Sequence, residues 1–173
     1  AGAHGTAVCL PCHGADAHGS VLAASQRVWI ATTDWGARSF FRGAKIGCYE
    51  CHNGPDSEDP TTDHAPVATS RSATAWAAIP LRIALTTSDA DGDPLELRIV
   101  DQPAHGAVAI TGSQALLYPD AGFDGSDAFT FAAWDGKRES NLATVTLTVH
   151  DNGGLFADGL ECGSSTRWSA TTP

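Results

Sequence analysis

Thr144-Val145-Thr146-Leu147-Thr148-Val149 alternates a threonine with an aliphatic residue over six positions. Successive side chains of a β-strand leave opposite faces, so this run makes a ribbon with one apolar and one hydroxylated side. The same period of two recurs in Leu81-Arg82-Ile83-Ala84-Leu85 and in Leu95-Glu96-Leu97-Arg98-Ile99. Shorter strand-like runs stand at Ala107–Ile110, Ala115–Tyr118 and Ala128–Ala132, and turn residues such as Asp91-Gly92-Asp93-Pro94, Asp124-Gly125 and Asp135-Gly136 separate them. With a first strand somewhere in Ala65–Ala78, residues 63–150 hold about seven short strands, the count of a two-sheet, immunoglobulin-like sandwich.

Upstream of this region the pattern changes. Cys9-Leu10-Pro11-Cys12-His13 and Cys48-Tyr49-Glu50-Cys51-His52 are two C-x-x-C-H sites, and they use four of the five cysteines. This spacing is the attachment signature of c-type haem. Cys9, Cys12, Cys48 and Cys51 would carry the thioether bonds, and His13 and His52 the proximal iron contacts. A zinc site or a pair of redox dithiols would leave the histidine after each pair unexplained. Residues 1–62 therefore read as a dihaem segment of coil and short helices. A helical patch is expected over Ser20–Ile30 and a short turn around Ser39–Lys45. Trp29, Trp35, Phe40 and Phe41 are expected against haem, and some of Arg27, Arg38, Arg42 and Lys45 against haem propionates.

A haem with two strong axial ligands carries electrons, whereas one with an open position can do substrate chemistry. Methionine is absent, so a His/Met pair is excluded. His105 and His150 belong to the strand region and read as structural. His4 and His18 are left as distal iron ligands, with His64 as the substitute. In Asp89-Ala90-Asp91-Gly92-Asp93, alternating carboxylates around a glycine suit a hard cation such as Ca²⁺, although an EF-hand's closing glutamate is missing.

Composition narrows the function classes. Ten Lys+Arg against 20 Asp+Glu give a formal charge of −10, which argues against nucleic acid as a partner. No apolar run approaches the ~18 residues of a membrane span. The chain opens Ala1-Gly2-Ala3, as a mature exported protein trimmed at a small-residue site would. Extracellular space or the cell surface is expected, with the periplasm as alternative. Asn53–Asp63 is acidic and turn-rich and marks a boundary, and residues 151–173 form a C-terminal tail in which the odd Cys162 suggests an intermolecular disulfide, a modified thiol or, the reading slightly favoured, a buried thiol.

The strand region also resembles a family. HAPVA at 64–68, SDADGDPL at 88–95, QPAHG at 102–106, LYPDAGFDGSDAFTF at 117–131, WDG at 134–136 and SNLATVTLTV at 140–149 are similar to the cadherin-like bacterial immunoglobulin repeats. The resemblance implies a β-sandwich serving as spacer, stalk or adhesion module, not a catalyst. The haem segment, with about 30 residues per haem and no ligand but histidine, resembles the filament-forming extracellular multihaem cytochromes.

Together these readings lead to an electron carrier with two covalent haem c groups and no enzymatic activity. Its expected partners are other copies of itself, joined head to tail in a conductive filament with the sandwich outside, and redox proteins or extracellular acceptors. A soluble dihaem shuttle and a dihaem peroxidase are the alternatives.

Overall fold

The alternating run at 144–149 lies within the longest uninterrupted in–out pattern among the described residues. In a computed structural model, which describes residues 23–33, 36–50 and 63–151, it is part of a strand Ala143–His150. Strands numbered in chain order begin with a hairpin, β1 (Trp29–Thr33) and β2 (Gly36–Phe40). They continue with β3 (Val67–Ala68), β4 (Arg71–Trp76), β5 (Leu81–Ala84) and β6 (Thr87–Ser88). The remaining strands are β7 (Glu96–Asp101), β8 (Gly106–Thr111), β9 (Gln114–Pro119), β10 (Gly125–Trp134) and β11 (Ala143–His150).

Two sheets form the sandwich. One has the order β4-β11-β10-β7, with β11 antiparallel to β10 and parallel to β4. The other is β5-β9-β8, all antiparallel, and β3 and β6 make a short separate pair. Val145, Leu147 and Val149 of β11 and Phe129 and Phe131 of β10 point inward to meet Ile83, Val108 and Leu117. Burying each large side chain of this kind contributes roughly 1.5–3 kcal/mol. The threonines between them face outward, as the period of two requires.

The turns hold because specific groups satisfy them. Asp127 accepts the backbone N–H groups of Ala104 (3.0 Å), His105 (2.7 Å) and Ala128 (2.7 Å), pinning the loop before β8 to β10. The His105 ring stacks on Phe123 at 4.0 Å, and His150 lies 5.3 Å from Trp76, so both histidines sit in sandwich packing. Gly106 has φ +143°, and a Cβ there would stand 2.5 Å from the carbonyl oxygen of Tyr118. Only glycine lets β8 approach β9 so closely at this point.

The segment before the sandwich departs from the coil and short helices expected. Among its described residues the one helical element of three residues is the 3-10 turn Cys48–Glu50. The helical patch expected to reach Ile30 gives way to β1, which pairs with β2 from Trp29↔Phe40 to Thr33↔Gly36. The physical reason is local. Val28-Trp29-Ile30-Ala31-Thr32-Thr33 is rich in β-branched residues, and Thr33 is buried while Val28 and Ile30 are exposed. Ala24 bridges Lys45, and Ser25 N–H donates to the Ala44 carbonyl at 2.8 Å, so the chain returns alongside itself.

This small unit packs on the outer face of the larger sheet. Phe40, Phe41 and Ala44 are buried against Ala132, with Trp29, Ile46, Val100 and Leu142 around them. Phe40 and Phe41, expected against haem, thus rest on the sandwich, and Trp29 stacks on Phe40 at 5.0 Å. Contact on both faces explains β10, where the alternation ends and Phe131, Ala132, Ala133 and Trp134 are all buried. A register shift between Thr130 and Phe131, opposite Asp101 and Ile99 of β7, marks the same place. Trp35, the boundary stretch through residue 62 and the tail beyond Asp151, with Cys162, lie outside the described residues.

Candidate functional site

The second C-x-x-C-H site enters the described structure at its first half. Cys48 is half-buried at the start of the 3-10 turn, and Glu50, two residues on, is fully buried. Glu50 is held from two sides. Its Oε1 accepts the backbone N–H of Glu139 at 2.5 Å, and its Oε2 meets Arg38 Nη1 of β2 at 2.5 Å as an ion pair without a well-aligned hydrogen bond. Arg38 Nη2 also donates to the Glu139 carbonyl. Arg38, expected near propionates, is thus committed to protein partners.

Glu139 belongs to the turn between β10 and β11 and repeats the arrangement. It is buried, accepts the Lys45 backbone N–H at 2.6 Å on Oε2, and pairs with Arg98 of β7 through Oε1 at 2.9 Å. Arg98 Nη2 also donates to the Gly43 carbonyl at 2.9 Å. Lys45 Nζ lies 4.9 Å from the centre of the Trp134 ring. Two buried glutamates and two arginines therefore join the N-terminal unit to the sandwich. Burial pushes the Glu50 carboxyl up to about 7, outweighing the Arg38 charge. Burial also raises Glu139, against the Lys45 N–H and the Arg98 charge.

A groove of about 430 Å³ is lined by Ala23, Ala24, Ser25, Gln26, Arg27, Trp29 and Ile46. This volume is within the roughly 300–1,000 Å³ of small-molecule sites, and its walls are small or apolar apart from Ser25, Gln26 and Arg27. Ile46 precedes Cys48 by two residues, which puts the groove on the same short stretch as the cysteine.

A second cluster forms where the chain enters the sandwich. Carboxylate oxygens of Asp63, Asp91 and Asp93 lie within 4.8 Å of one another. Asp91 accepts the His64 backbone N–H at 2.7 Å and sits 3.1 Å from His64 Nδ1, contacts that hold its carboxyl below the usual range. Asp89 uses Oδ1 to accept the N–H groups of Asp91, Gly92 and Asp93 and thereby shapes the loop. Asp135 Oδ1 accepts the N–H groups of Lys137 and Arg138 at 2.7 and 2.6 Å. Lys137 Nζ is 3.5 Å from Asp63 Oδ1, and Arg138 Nη1 donates to the Asp63 carbonyl at 2.5 Å. Burial raises Asp63 and Asp135, reinforced by Asp135 on the first and by Asp89 and Asp93 on the second.

Of the residues singled out from the sequence, Cys48, His64, Asp89, Asp91 and Asp93 are described, and the last four share one neighbourhood. Cys9, Cys12, His13, Cys51, His52, His4 and His18 lie outside the described residues. Reading the sequence missed Glu50, Glu139, Asp63 and Asp135 as parts of these clusters. Asp63 and Asp135 stand in recognisable turn motifs, but no sequence spacing links two residues more than seventy positions apart. No helix among the described residues is long and apolar enough to cross a membrane.

Residues 63–148 match the family model of the bacterial Ig domain. No curated protein sequence matches the chain significantly. Among solved structures, the chain is similar to an endo-fucoidan hydrolase of glycoside hydrolase family 107, MfFcnA4, at 19% identity and a TM-score of 0.45. That match covers 77% of this chain and 20% of that one. Titin M4 is similar at 21% identity and a TM-score of 0.33, over 51% of this chain and 99% of that one. The fibronectin(III)-like modules of Clostridium thermocellum CbhA follow at 16% identity and a TM-score of 0.36, over 75% and 80% of the two chains. The chain thus spans only a fifth of the length of the hydrolase, and likenesses this loose transfer no activity. The family match and the two-sheet topology agree on one statement: residues 63–148 are a bacterial immunoglobulin-like domain.

Proposed function

We propose that the chain is an extracellular electron carrier with two covalently attached haem c groups, mounted on the immunoglobulin-like domain. The observation that carries the reading is the pair of complete C-x-x-C-H sites in one 44-residue stretch, 9–52. Bound there, the haems would supply a reversible one-electron couple.

The chain's own residues support the reading in three ways. Cys48 opens a 3-10 turn that ends at the buried Glu50, whose carboxyl the Arg38 and Glu139 contacts hold. The groove lined by Ala23, Ala24, Ser25, Gln26, Arg27, Trp29 and Ile46 offers a partly apolar surface, and Ile46 stands two residues before Cys48. His64 has the arrangement of a metal-ligating histidine, with Nδ1 on a carboxylate and Nε2 on the far edge of an exposed ring. It is therefore a credible substitute for His4 or His18 opposite the proximal His13 and His52.

The finer form of the proposal is a head-to-tail filament with stacked haems inside and the acidic domain outside. Val28 and Ile30 of the N-terminal unit are 69% and 71% exposed, apolar surface that a neighbouring copy would cover. A soluble dihaem shuttle is the alternative.

Mass spectrometry of the purified chain tests the core of the proposal, with the polypeptide plus two haems expected after acid-acetone treatment. A bare-chain mass or a stoichiometric zinc ion would overturn it. Electron microscopy tests the filament, and a monodisperse particle at high concentration would leave the shuttle.

A further inference from the structure

We propose that the β10–β11 turn of the immunoglobulin-like domain is the fixed half of the second haem-attachment site, with Glu139 as its positioning residue. This rests on the haem reading of the C-x-x-C-H sites, and it gives the domain a part in electron transfer beyond that of a spacer.

The turn is braced by its own bonds. Trp134 bridges Glu139, and Ser140 N–H donates to the Ala133 carbonyl at 2.9 Å. Ser140 Oγ accepts the Ala133 N–H, also at 2.9 Å. From this platform Glu139, 1% exposed, reaches the surroundings of Cys48 at three places. Its Oε2 accepts the Lys45 N–H, its own N–H donates to Glu50 Oε1, and its carbonyl accepts from Arg38. Arg98, paired with Glu139 Oε1, adds a tie at the Gly43 carbonyl. These bonds bracket Cys48, since Gly43 and Lys45 precede it and Glu50 follows it. Within the bracket, Glu50 N–H closes the 3-10 turn on the Gly47 carbonyl at 3.3 Å.

The division of labour between apolar and polar contacts points to positioning. Phe40, Phe41 and Ala44 already bury themselves against Ala132 of β10, and such contact holds the N-terminal unit to the domain without fixing a direction. Hydrogen bonds do fix direction, and those made by charged groups out of water are the strongest of them. Glu139 directs its bonds at the backbone just before Cys48 and at the side chain of Glu50. Glu50 is the third residue of Cys48-Tyr49-Glu50-Cys51-His52, so the domain grips the pentapeptide itself and not merely a linker leading to it. Axial-ligand arrangement, burial and neighbouring hydrogen bonds set a haem's potential, and all three follow the backbone of the motif that carries it. Loosening the grip would therefore alter the haem on this motif selectively.

The test uses the full haem-loaded chain. Its mass is measured first, and electron paramagnetic resonance and a redox titration then follow each haem. Glu139→Gln keeps the side chain's volume and should fold, but its single oxygen serves either Lys45 or Arg98. The resonance signal and midpoint potential of one haem are expected to shift while the other haem keeps the parent's values. Glu139→Ala removes both ties and should shift the same haem further. Asp127→Ala weakens the domain near the opposite end of β10, so it should lower Tm and leave both haems as in the parent. Hydrogen exchange at the Lys45 amide should quicken in the Glu139 variants and not in Asp127→Ala. Parent-like haem signals in Glu139→Gln and Glu139→Ala chains of two-haem mass would overturn the proposal and leave the carrier reading intact. Equal shifts of both haems, or the same shift in Asp127→Ala, would do likewise. A parent chain without haem would overturn both, and the mass alone identifies that case.

Discussion

Replacing Glu50 by glutamine should make the chain more stable than its parent at alkaline pH and change it little at mildly acidic pH. Glu50 is fully buried, and burial raises its carboxyl from the ordinary 4.5 to about 7 despite Arg38 at 2.5 Å. A carboxyl whose folded pKa exceeds its unfolded value favours folding most below the unfolded pKa. That contribution is lost as pH rises from 4.5 and is gone above about 7. At about 1.4 kcal/mol per pKa unit the whole loss is about 3 kcal/mol, of which about 2 kcal/mol falls between about pH 5.5 and about pH 8.5. Glutamine keeps the shape and an oxygen for the Glu139 N–H, and it does not ionise. The parent-minus-variant difference in urea unfolding free energy should therefore shift by about 2 kcal/mol across that pH range, to the variant's advantage at the alkaline end. The aspartates around Asp63 titrate in both proteins and cancel in the difference, which reports Glu50 together with its coupling to Glu139. A difference that stays flat, or one that grows in favour of the parent as pH rises, would show that the Arg38 ion pair outweighs burial.

Gly106→Ala should destabilise the domain by about 2–3 kcal/mol, read as a lower urea midpoint, because the new Cβ meets the Tyr118 carbonyl at a positive φ. Asp127→Ala should cost about 1–3 kcal/mol near neutral pH by leaving the Ala104, His105 and Ala128 N–H groups without their acceptor. Burial pushes the Asp127 carboxyl up, but those three N–H groups outweigh it and hold it below 3.8. The parent's advantage is therefore present above 3.8 and shrinks as acid titration passes below that value, which thermal unfolding at a series of pH values would show.

The immunoglobulin-like domain was legible because its information is local. Alternation in Thr144–Val149, Leu81–Leu85 and Leu95–Ile99 states which face is buried without reference to any partner, and Asp-Gly pairs mark where the ribbon turns. The C-x-x-C-H pattern is likewise local, five consecutive residues, and the haem groups are proposed from that pattern. The N-terminal unit was not legible. Val28–Thr33 carries both a helical and an alternating arrangement of apolar residues, and only the partner strand Gly36–Phe40 and the sheet beneath decide between them. The burial of Ala132 and Trp134, on the face of β10 that alternation alone would leave to water, is likewise decided by what packs there. The clusters around Glu50 and Asp63 belong wholly to the tertiary structure. Glu50 and Glu139 are 89 positions apart, and Asp63 and Asp91 are brought together across 28, so their charges meet only once the sandwich has closed. A carboxylate's burial, and with it the proton it holds, depends on neighbours that sequence separation does not record.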